Sequence, residues 1–140
     1  MIKRLNILIF LTLFIIIQKD LFSNSAILPE NSINFIKNYF DYEDIINVEK
    51  LNDLYKVLFS DGKIIYFNFN GVWEEVDGNS APIPTDFIDE NVINTIKKTN
   101  PNAAVIKIKR SWNMYIISLD NYINVFIDFA GMLIGQKIHY

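Results

Sequence analysis

The chain has 140 residues, 51% hydrophobic and 21% charged, with a formal net charge of -3 and no cysteine. This is the composition of a folded globular chain rather than a disordered one. Lacking cysteine, it has no disulfides, thiolate metal sites, cysteine nucleophile or lipoprotein cysteine, and the only local basic cluster, Lys107, Lys109 and Arg110, falls short of the basic stripe that nucleic-acid binding leaves.

The first segment reads as a targeting signal. Lys3 and Arg4 give a positive start, and residues 7–17 run apolar with Thr12 as the one interruption. Ser23-Asn24-Ser25-Ala26 then supplies small residues at cleavage spacing, which is the layout of a secretory signal peptide cut near Ser25/Ala26. The apolar run is shorter than the ~20 residues a membrane span needs. Residues 1–25 are therefore expected to leave, and 26–140 to form a single domain, periplasmic or secreted, that meets a membrane only during export.

Pro29-Glu30-Asn31-Ser32 marks a helix start, with proline and an acid in the first turn. Ile33, Ile36 and Phe40 supply its apolar face. Four strand-like runs follow, roughly Ile45 to Leu51, Leu54 to Ser60, Lys63 to Phe69 and Val72 to Val76. Asp61-Gly62 and Asn70-Gly71 are hairpin signals, because these residues readily take the positive φ angles of tight turns. Residues 77–84, rich in Gly, Asn, Ser and Pro, form a connector. Asp86 or Asp89 caps a second helix whose apolar stripe is Ile88, Val92, Ile93 and Ile96, and which stops at Asn100-Pro101.

The strands then come round again. At an offset of sixty residues the sequence falls on itself without a gap: Ile33/Ile93, Ile36/Ile96, Tyr55/Tyr115, Phe69/Phe129 and Gly71/Gly131 coincide. We therefore expect an α+β fold made of a tandem duplicated unit of one helix plus antiparallel strands, in two repeats (26–80 and 84–140). Because a unit of this size is marginal alone, the two should share one antiparallel sheet with two helices on one face. Alternation places Tyr55, Val57, Phe59, Ile65, Phe67, Phe69 and their counterparts against the helices.

The other face carries Leu58, Ile64, Tyr66, Met114, Ile116 and Phe126 among polar residues. An apolar patch framed by polar groups marks a contact surface. Tyr66, Trp73, Trp112, Ile116 and Phe126 are the candidate partner-binding residues, aromatics being rich in binding energy. Trp73 fits the core equally well, and Trp112 the covering of a turn.

No constellation for chemistry is visible. His139 has no metal-ligand companions, no serine has a histidine base, and there is no phosphate loop, so no cofactor is expected. Glu74, Glu75 and Asp77 could form a carboxylate pair for hydrolysis, but acids at turns have simpler explanations. The expectation is no enzyme.

These residues resemble a known family. Leu28-Pro29 before a helix, residues 55–62 around Asp61-Gly62, residues 65–73 ending in Gly71-Val72-Trp73, and residues 125–131 ending in Ala130-Gly131 resemble the PepSY-like family of exported bacterial proteins. The second unit departs from the pattern at Asn121-Tyr122 and at Leu133. The resemblance implies a β-lactamase-inhibitor-protein-like fold and a non-enzymatic exported protein that binds or inhibits another exported protein. A self-associating structural protein of the envelope, with that outer face forming a homodimer, is the alternative.

Overall fold

The computed structural model describes residues 26–139; the expected signal segment lies outside them. Helix α1 (Glu30–Tyr39) leads through a 3-10 turn (Tyr42–Asp44) to strands β1 (Ile45–Leu51), β2 (Leu54–Phe59), β3 (Ile64–Asn68) and β4 (Trp73–Asp77). Helix α2 (Glu90–Thr99) and strands β5 (Val105–Ser111), β6 (Met114–Leu119), β7 (Ile123–Asp128) and β8 (Leu133–Ile138) follow. All eight strands join one antiparallel sheet in chain order. Among the described residues no helix is long and apolar enough to cross a membrane.

Local chemistry sets these bounds. Asp89 caps α2, its carboxylate accepting from the Asn91 N–H at 2.8 Å. At α1 the cap position is Pro29, whose carbonyl accepts from Ser32 and Ile33. Gly62 and Gly71 take φ of 86° and 76° in their hairpin turns. The β3–β4 turn is pressed on the start of α1, because a Cβ on Gly71 would stand 2.9 Å from the Ser32 nitrogen. The β7–β8 turn meets α2 in the same way, a Cβ on Gly131 falling 2.7 Å from that of Asn91.

The halves also share their irregularities. Register shifts fall between Ile45 and Asn47 and between Val105 and Lys107; a second pair falls between Tyr66 and Phe67 and between Phe126 and Ile127.

One core joins the sheet to both helices. Ile36, Val92 and Ile96 from the helices bury with Val57, Phe59, Ile65, Phe67, Val76, Ile108, Ile117, Leu119, Val125 and Ile127. Alternation assigns this face correctly, with two exceptions. Phe69 and Phe129 are 50% and 44% exposed. They lie just past the ends of β3 and β7, in turns, where strand alternation no longer governs direction. Each instead packs edge-on against a tyrosine of its own half, Tyr55 or Tyr115.

Candidate functional site

The face away from the helices is crossed by a single row of paired residues. It runs Glu49, Lys56, Tyr66, Glu75, Lys109, Ile116, Phe126, Gly135, one from each strand in order. A neighbouring row runs Leu58, Ile64, Asp77, Lys107, Ser118, Asn124. Tyr66, Ile116 and Phe126 are half-buried here, and both helices pack on the opposite side.

The structure does not bring all five candidates together. Ile116 and Phe126 are direct cross-strand partners. Tyr66 is three strands away from Ile116, roughly 14 Å at the usual strand spacing. Between them stands an ionic ladder at the β4–β5 seam. Lys107 Nζ lies 2.6 Å from a Glu75 oxygen and 2.9 Å from Asp77, and Lys109 reaches Glu75 at 3.4 Å. Glu74 accepts from the Asn68 amide at 2.8 Å. All three acids of the hydrolase reading are thus engaged in structural contacts. Burial by itself lowers the Lys107 pKa, but the hydrogen bonds it donates to Glu75 and Asp77 overcome this and leave it above the ordinary 10.5. A lysine with a raised folded pKa stabilises fully below its unfolded value, and that stability fades as pH climbs through the folded one. The urea midpoint of the wild type should therefore exceed that of Lys107→Met at neutral pH. The gap should close only above pH 10.5; a gap constant through that range would mean the ladder contributes nothing.

Trp73 is not on this face. It is 5% exposed and lies in the core, with ring centroids of Phe87 at 5.2 Å and Tyr115 at 6.0 Å and the Arg110 guanidinium 4.3 Å above its ring. The cause is the β4 bulge. Phe67 pairs with Trp73 and Tyr66 with Glu75, so Glu74 is an extra residue and the alternation of β4 slips by one.

Trp112 covers nothing among the described residues. It is 96% exposed at the tip of the β5–β6 hairpin, with φ at +54°. The matching turn of the first half has Asn52, φ +32°. Asparagine tolerates the left-handed region; a bulky side chain there costs roughly 1–2 kcal/mol.

Beside the ladder, β4 and β5 pair over only three positions, Glu75 to Asp77. Where they part, a cleft of 440 Å³ opens, lined by Leu54, Tyr66, Glu74, Glu75, Lys109 and Arg110. The sequence did carry a signal for this seam: acids at 75 and 77 on one strand answer lysines at 107 and 109 on another.

Residues 53–135, more than half of the chain, match the family described as "Putative beta-lactamase-inhibitor-like, PepSY-like". The chain belongs to this PepSY-like family. Similar folds occur in solved structures from Bacteroides. A B. thetaiotaomicron protein described as a "putative calcium-regulated periplasmic protein" is 27% identical, with TM-score 0.68, covering 79% of this chain and 90% of its own. A B. vulgatus protein described as a "putative periplasmic protein of unknown function" is 25% identical, with TM-score 0.67, covering 79% and 91%. Another from the same organism is 24% identical, with TM-score 0.73, covering 79% and 90%. No match was found among curated proteins. Among the described residues no three potential metal-ligating side chains converge.

Proposed function

We propose that this PepSY-like chain is a non-enzymatic protein-binding module of the bacterial cell envelope, periplasmic or secreted after cleavage near Ser25/Ala26. It engages another exported protein through the outer sheet face and the β5–β6 hairpin tip. One observation carries the reading: a fully exposed tryptophan, Trp112, is held at positive φ where the other half of the molecule uses asparagine. Among the described residues such strain and apolar exposure have no packing return, and residues of this kind gather at binding sites. Ile116 and Phe126 extend the surface inward from the tip. The periplasmic description of the similar structures supports the location. The paired bulges and paired helix-facing glycines favour two copies of one unit, of which the second has taken on the contact role.

The test is capture from the envelope fraction of the source cells with the mature chain from Ala26 as bait, alongside Trp112→Asn and the double variant Tyr66→Ala, Phe126→Ala. A stoichiometric partner should be retained by the wild type and lost, at least about tenfold in affinity, by both variants, each such hot spot carrying 2 kcal/mol or more. Trp112→Asn should melt no lower than the wild type. Undiminished capture by both variants would move the contact elsewhere.

A further inference from the structure

The two edges of the sheet are finished differently. At β1 the Ala26 N–H donates to the Val48 carbonyl at 3.1 Å, so the edge is partly capped by the chain itself, and Glu49 and Lys50 add charges. Among the described residues strand β8 has no such cover, and Leu133, Ile134 and Ile138 are 38%, 52% and 59% exposed. Its single charge is Lys137. An open apolar edge of this kind is a template for another strand.

Which strand it takes can be argued from the molecule itself. Strand β4 occupies in the first half the place of β8 in the second, down to the bulge, and its outer edge is paired antiparallel by β5. The equivalent edge of β8 is open among the described residues. The strand of another copy that corresponds to β5 is β1, whose Val48 carbonyl already accepts from Ala26. That leaves β8 itself.

The register follows from the hydrogen bonds. His139 N–H donates to the Tyr122 carbonyl, so residues 139, 137 and 135 point their backbone groups at β7, whereas Gln136 and Ile138 point theirs outward. A two-fold axis at residue 137 would set Lys137 against its own copy, which like charge disfavours. A two-fold axis at Gln136 sets Lys137 opposite Gly135, over which nothing lies within 4 Å. We propose that β8 pairs antiparallel with β8 of a second copy about a two-fold axis at Gln136, joining two sheets into one and leaving the outer face and Trp112 free on both copies.

The mature chain should sediment as a dimer at about 100 μM and dissociate on dilution, as a micromolar Kd requires. Gln136→Pro removes the outward N–H, a change that edge strands accept, and Ile138→Lys adds a charge to the edge; both should remain folded and weaken the dimer at least about tenfold. Because the natural chain has no cysteine, Gln136→Cys offers one thiol per copy. The two Cα atoms would stand about 5.5 Å apart, so a short bifunctional thiol reagent should link them, and should not link Lys50→Cys on the other edge. A strictly monomeric wild type overturns the proposal. So does a dimer that survives both edge variants, or one that links at residue 50 and not at 136. Partner capture through Trp112 is read separately, so the two readings fail independently.

Discussion

Trp73→Ala should lower unfolding stability by about 3–5 kcal/mol, the usual cost of truncating a buried aromatic. Measured by urea denaturation, that is a large share of the roughly 5–15 kcal/mol that holds a typical domain together. The size of the effect comes from where the indole sits. It touches Phe35 of α1, Phe87 just before α2, and Tyr115 and Arg110 of the second half. Its loss opens a cavity at the junction of both halves, ringed by large side chains that cannot all collapse inward. An unchanged midpoint would return Trp73 to the surface and to the partner-binding group.

Gly78→Ala should be comparably damaging, although φ at Gly78 is ordinary. The added Cβ would lie 2.0 Å from the Ala81 carbonyl oxygen and 2.8 Å from that of Ile106. Both are backbone atoms. The first belongs to the turn that Gly78 closes by accepting from the Ala81 N–H, and the second accepts the Gly78 N–H itself. Neither can rotate away, so the connector must detach from β5. We expect a loss of about 3 kcal/mol, at the upper end of overpacking costs. Gly135→Ala is the control, since nothing lies within 4 Å of its Cβ; replacing a strand glycine there should gain about 0.5–1 kcal/mol. Equal effects at the two positions would refute the steric account.

Much of the fold was legible because its signals are local. The hairpin turns at Asp61-Gly62 and Asn70-Gly71, the acid cap of α2 and the strand bounds all depend on neighbouring residues, and the first four strands lie within about a residue of where periodicity puts them. What was hidden depends on an extra residue or on another strand. The face of Trp73 turns on the bulge at Glu74, and alternation has no way to register one inserted residue. Phe35 escapes the helical stripe of Ile33 and Ile36, yet packs against Phe67 and Phe87, because the segment before α2 folds back to meet it. Tyr66, Ile116 and Phe126 do share the outer face, Trp73 does not, and the spacing of the three across it is set by strand pairing. Pairing β4 with β5 places the Glu75–Lys109 ion pair between Tyr66 and Ile116, and that pairing is a fact about two distant segments.

The order of the strands bears on how the chain finds this structure. Antiparallel sheets are usually slow to form, because returning strands must wait for partners made much earlier in the chain, and closing those long loops costs entropy before any contact repays it. Here each strand meets the one synthesised just before it. The sheet can therefore grow as a zip, one short closure at a time, with only the β4–β5 step spanning a helix. The first half can thus be ordered before the last strands have formed.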